Sequence, residues 1–101
     1  MDTITTAGPE VLAAFYRDVT DPNARTVLDF LIDHAGRRYT AREIMTALGF
    51  AQHRDVALAA YAAGEAAKRH ELVRPWNEAQ LGYMLSPETA DLLRRARDNA
   101  G

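Results

Sequence analysis

The chain of 101 residues is 48% hydrophobic and 26% charged, which is typical of one globular domain. It has no cysteine, which excludes disulfides and thiolate chemistry, and no apolar run approaches the ~20 residues that cross a bilayer. The net charge of -2 argues against a strongly basic nucleic-acid-binding protein, and the N-terminus lacks a secretory pattern, so we expect a cytoplasmic protein.

The N-terminal segment, residues 1–21, is predicted to contain one short helix from Pro9 to about Val19. Apolar residues repeat on one broad face of that helix, among them Phe15 and Tyr16. Such a helix either covers the core of its own chain as a lid or reaches a second protomer as a dimer arm. The sequence leaves both alternatives open.

Residues 22–101 are predicted to form the main domain, which begins with an N-cap and a first-turn proline at Asp21-Pro22. On this second helix Asp29 and Asp33 lie one turn apart, and His34 follows in the sequence. A metal would need further ligands, and His34 points about 100° away from Asp33. The pattern therefore favours a solvated acidic face, and we expect no metal and no cofactor.

A helix, a turn and a second, longer helix are predicted next. Thr40 and Glu43 have the spacing of a capping box, and Gly49 is typical of a left-handed helix stop. After a short connection, helical composition resumes from about residue 53 to about residue 70. This order is that of a helix-turn-helix.

The long helix offers two kinds of surface. Gln52, His53 and Arg54 at its start are polar groups of the kind that enter a DNA major groove. Leu58 and Tyr61, on its outward face, resemble a protein contact more than a base-reading set. The sequence therefore leaves the ligand of this helix open between DNA and protein.

Two short apolar runs on either side of Glu78–Gln80 predict a β-hairpin over about residues 71–85, with Pro75 confining the first strand to an edge. Trp76 and Tyr83 are predicted to pair across the strands and cover the core. Ser86-Pro87 then starts the last helix, which carries several arginines in its final turns.

The chain resembles the winged helix-turn-helix superfamily, nearest to small, largely uncharacterised bacterial winged-helix proteins. The similar segments are Gly36-Arg37-Arg38-Tyr39-Thr40, Arg74-Pro75-Trp76 and Gly82-Tyr83-Met84. The resemblance implies a mainly α fold with a small β-hairpin (α+β). It also implies transcription regulation by a dimer that binds operator DNA.

We therefore expect a DNA-binding, transcription-regulator-like homodimer and no enzyme, because the only serine is explained as an N-cap and no histidine motif is present. The residues expected at double-stranded DNA are Gln52, His53, Arg54, Arg37, Arg38, Arg42, Arg74 and Lys68. The alternative is a protein-interaction module that does not bind DNA. Its expected interface is formed by Leu58, Tyr61, Phe15 and Tyr16.

Overall fold

The structure of the protein is a computed structural model that describes residues 1–76 and 82–100. These two ranges contain five helices: α1 Pro9–Asp18, α2 Pro22–Asp33, α3 Ala41–Leu48, α4 Arg54–Arg69 and α5 Pro87–Ala100. α1 packs mainly on α5, and α2 packs mainly on α4. None of these helices, within the part of the chain that is described, has both the length and the apolarity that crossing a membrane requires.

The predicted helix starts and stops are confirmed where the sequence signals were strongest. The Asp21 carboxylate accepts a hydrogen bond from the Ala24 amide at 2.9 Å. At α3 the capping box is complete: the Glu43 amide donates to Thr40 Oγ1 at 3.1 Å, and the Thr40 amide donates to Glu43 Oε1 at 2.9 Å. Gly49 ends α3 in the left-handed region at φ 74°. Together these contacts satisfy backbone groups that a helix end leaves without partners.

Small side chains let α4 lie close to the centre of the protein. Its inner face consists of buried residues: Val56, Ala59, Ala60, Ala63, Ala66 and Ala67. Alanine adds little width, so the helix approaches α2, which contributes larger buried residues such as Leu28 and Leu31. The long helix is thus positioned by its inner face, and its opposite face is available for function.

The acidic residues of α2 are paired rather than simply solvated. The Tyr16 hydroxyl donates to Asp29 Oδ1 at 2.7 Å, and Arg97 reaches Asp29 at 3.4 Å and Asp33 at 3.1 Å. The His34 ring stacks on Phe30, with ring centroids 4.3 Å apart. No group of residues that could hold a metal ion occurs among the described residues. The contacts of Asp29 and Asp33 join α1, α2 and α5.

The predicted fold class, mainly α with a small β-hairpin as in a winged helix-turn-helix, is wrong. The described residues form an all-helical protein with isolated bridges and no hairpin. Within the part of the chain that the structure describes, the two apolar runs form no bridge with each other, and one residue of each pairs elsewhere. Leu72 forms a parallel bridge with Asp2, and Tyr83 forms an antiparallel bridge with Tyr39.

The predicted hairpin turn at Glu78–Gln80 lies outside the described residues. Of the surrounding segment, Trp76 is buried and its ring lies edge-on to that of Tyr83, with centroids 6.3 Å apart. The prediction that Trp76 packs in the core is therefore confirmed, whereas the strands across which the two rings were expected to pair are not found among the described residues. Trp76 and Tyr83 contact each other from separate, non-strand segments.

Candidate interaction surface

The outward face of α4 is a straight row of four residues, Arg54, Leu58, Tyr61 and Glu65, which we call the α4 stripe. With 3.6 residues per turn, these positions fall within an arc of about 60° and span about 17 Å along the helix. The buried alanine face lies directly opposite this arc. Tertiary packing therefore fixes which way the stripe points.

The centre of the α4 stripe is apolar and open to solvent. Leu58 is 61% exposed and Tyr61 is 68% exposed. Beside Tyr61 runs a groove of about 350 Å³, which is also lined by the exposed residues Met1 and Val73. A group of large apolar side chains exposed side by side often marks a surface that binds another molecule.

The ends of the α4 stripe carry opposite charges. Interaction with the Glu65 carboxylate, which follows one turn later on the same face, raises the pKa of Tyr61. The phenol, like an ordinary tyrosine, is neutral at physiological pH. At the other end, Arg54 makes no ion pair within the part of the chain that the structure describes.

The residues predicted to enter a DNA groove lie at the start of α4. Gln52 and His53 precede the helix, Arg54 is its first residue, and all three are exposed. The backbone N–H of Gln52 donates to Asp55 Oδ2 at 3.1 Å, so a carboxylate lies within the same turn. That carboxylate reduces the positive potential expected of a phosphate-facing helix start.

The remaining predicted DNA contacts are distributed over other parts of the surface. Arg37 forms an ion pair with Glu43 at 3.3 Å and covers the Tyr39 ring. Arg38 lies against Gly82, while Arg42 is exposed in the first turn of α3. Several of these cations thus already have partners in the protein.

Lys68 and Arg74 lie along the groove at the far end of α4 from Arg54. The side chain of Arg74 packs over Gly64, and Arg74 has a further partner of its own. Lys68 is separated from Arg54 by about 21 Å of helix. The apolar centre of the α4 stripe lies between them, so the structure does not bring the predicted DNA set into one basic patch.

The other predicted protein-interface residues lie in the interior. Phe15 is fully buried, and Tyr16 is buried with its ring beneath the Arg25 guanidinium at 4.3 Å. Both belong to the face of α1 that packs within its own chain. The open surface is therefore formed by Leu58 and Tyr61 without them.

Sequence reasoning missed Met1 and Val73 as neighbours of Tyr61. They come together because Leu72 pairs with Asp2, which brings the N-terminus alongside the segment after α4. No periodic pattern in the sequence signals a single bridge between two irregular segments. By contrast, Leu58 and Tyr61 could be placed outward from the helical repeat alone.

A protein-family model described as a family of unknown function, DUF6416, matches residues 10–100. Neither a curated protein nor a solved structure matches the chain. The matched range includes all five helices apart from the first residue of α1, and it contains the whole α4 stripe. The chain therefore belongs to the DUF6416 family, whose function is unknown.

Proposed function

We propose that this protein is a protein-interaction module that binds its partner through the α4 stripe. The observation that carries this proposal is the apolar centre of the stripe, where two neighbouring large side chains on a well-packed helix are both more than 60% exposed. An aromatic and a leucine on a rigid helix form an anchor of the helix-in-groove or helix-on-helix type. As the sequence predicts, we place this activity in the cytoplasm.

The charges around the α4 stripe also favour a protein over DNA. A groove-reading helix presents polar and basic groups in its first two turns. Here the second turn presents Leu58 and Tyr61, and Glu65 follows in the next turn. An outward carboxylate would be repelled by phosphates, whereas beside an apolar contact it supplies a polar rim.

Site-specific photo-crosslinking tests this proposal. A photoreactive phenylalanine analogue replaces Tyr61 in one variant and Arg95, an exposed residue of α5, in a control. In cells, the Tyr61 variant is expected to give a discrete higher-mass adduct that the control does not give. Equal labelling at the two positions, or no adduct at position 61, would contradict a protein-binding role for α4.

DNA binding is a second candidate, and one observation favours it. Arg42 and Arg54 each lie in the first turn of a helix, where the helix dipole disfavours a cation. In the described ranges neither forms an ion pair that would offset this cost. Phosphate groups are natural partners for arginines in such positions.

Fluorescence anisotropy with a labelled random duplex separates the two candidates. If DNA is the ligand, binding falls steeply with added salt, and Arg42→Ala and Arg54→Ala each flatten that salt dependence. Arg95→Ala is the matched control and leaves it unchanged. Absence of binding at low salt removes this second candidate.

A further inference from the structure

The α4 stripe has a symmetric spacing. Its residues follow one another at intervals of four, three and four positions, and this order is the same when the helix is reversed. Reversal places position 54 opposite position 65 and position 58 opposite position 61. The residues at these positions are complementary in both cases, an arginine with a glutamate and a leucine with a tyrosine.

We propose that the partner bound by the α4 stripe is a second copy of this chain, with the two α4 helices antiparallel about a twofold axis. Leu58 then packs against the partner's Tyr61, and Arg54 pairs with the partner's Glu65. This inference rests on the proposed function and names the occupant of that surface. A twofold interface needs a surface that is complementary to itself, and the α4 stripe has this property.

Charge disfavours two competing arrangements of the same helix pair. In a parallel pair, each Arg54 would face the partner's Arg54, and each Glu65 would face the partner's Glu65. In an antiparallel pair centred on Tyr61, Arg54 would face the partner's Lys68. Like charges placed directly together are unfavourable in both arrangements. The register midway between Leu58 and Tyr61 instead joins apolar groups at the centre to opposite charges at the ends.

The surroundings of the α4 stripe suit this register. Ala57 lies beside the stripe and is small, which permits the interaxial distance of about 8–10 Å that packed helices adopt. The start of the partner's α4 comes alongside the groove that Met1 and Val73 line, so their exposed surface is covered as well. The pairing also supplies Arg54 with the carboxylate that it lacks within the described part of its own chain.

Two charge reversals provide a specific test. Arg54→Glu alone places two glutamates opposite each other at both ends of the interface, and Glu65→Arg alone places two arginines there. Each variant is expected to weaken self-association at least about tenfold. In an equimolar mixture, each end of the mixed dimer joins a glutamate to an arginine, so association is expected to return to near the wild-type level.

Sedimentation velocity over a concentration series measures the mass of the species that the wild type, each variant and the mixture form. One of the two variants is fluorescently labelled for the mixture. Arg95→Glu makes the same charge change away from α4 and is expected to self-associate as the wild type does. Far-ultraviolet circular dichroism and urea unfolding establish that each variant is folded. Leu58→Ala, which changes no charge, is expected to weaken association as well.

A wild-type protein that keeps the mass of one chain throughout the series overturns the proposal. So does a mixture of the two reversed variants that associates no better than either one alone. The crosslinking experiment distinguishes the failure of the second-copy proposal from the failure of the protein-binding function. If the wild type stays monomeric and the crosslinker at position 61 gives an adduct with a different protein, the second copy is excluded but the protein-binding function is kept. If no adduct forms, both proposals fail.

Discussion

Replacing Tyr16 by phenylalanine should reduce both the stability of the protein and its sensitivity to alkaline pH. The Tyr16 side chain is buried, and its hydroxyl donates at 2.7 Å to Asp29 Oδ1, which Arg97 also contacts. Burial, followed by the hydrogen bond and the charge of Asp29, raises the pKa of Tyr16 to about 12. Loss of one hydrogen bond to a carboxylate predicts a decrease of about 1.5 kcal/mol in the free energy of unfolding at neutral pH.

The pH dependence of the unfolding free energy follows from the direction in which the pKa of Tyr16 is shifted. A tyrosine whose pKa is higher in the folded state than the ~10 of an unfolded chain contributes its stability fully below pH ~10. That contribution is lost as the pH rises through 10 towards the folded pKa of about 12. For this pair of values the expected loss between about pH 9 and about pH 11 is roughly 1 kcal/mol.

Urea unfolding of the wild type and of Tyr16→Phe over this pH range measures the effect. The difference in unfolding free energy between the two proteins is expected to shrink as the pH rises, because Tyr61 and all other groups titrate in both. Tyr39→Phe, which removes a phenol hydroxyl elsewhere in the chain, is measured beside it as the control. A Tyr16→Phe difference that stays constant from pH 9 to pH 11 would refute the proposed role of this hydroxyl.

Three further substitutions test local packing, with urea unfolding as the common measurement. Gly64→Ala should raise the unfolding free energy by up to about 1 kcal/mol, because a new Cβ meets only the side chain of Arg74 at 3.1 Å, and that chain can move. A loss of stability would show instead that the side chain is fixed. Gly82→Ala should lower stability by about 1–3 kcal/mol, since its Cβ would lie 2.6 Å from Arg38 Cγ and 3.0 Å from a backbone carbonyl; a neutral effect would contradict this close approach. Thr40→Ala removes the N-cap of α3 and should cost about 1 kcal/mol, whereas Thr40→Ser should restore most of it.

The helices could be predicted from the sequence because their signals are local. Thr40 and Glu43 sit three residues apart, and the reciprocal contacts of a capping box need only that spacing. Likewise, Asp21 and the following proline begin α2 as expected. The predicted long helix of about residues 53–70 agrees with the observed Arg54–Arg69 to one residue at each end.

The prediction of a hairpin was wrong because strand pairing depends on partners that are distant in sequence. Two apolar runs on either side of a polar turn were expected to pair with each other. Instead Leu72 pairs with Asp2, seventy positions earlier in the numbering, and Tyr83 pairs with Tyr39. Residue types alone do not indicate which of several short extended segments will meet.

The candidate surface was predictable only in part. Helical periodicity places Leu58 and Tyr61 outward, and the structure confirms their exposure. Phe15 and Tyr16 have the same amphipathic pattern, but α1 packs on other helices of the chain and both residues are buried. Which apolar helix face remains open is decided by the packing of the whole protein, and a single helix does not contain that information.

The most direct measurement of the central claim is a concentration series of ¹⁵N–¹H NMR spectra of the wild type, from about 10 μM to about 1 mM, a range that detects even weak association. We expect chemical shifts to change with concentration along the outward side of α4 and at its neighbours Met1 and Val73, while those of α5 stay constant. Spectra that do not change, or changes centred on α5, would contradict the claim that α4 is the surface through which this protein binds a second copy of itself.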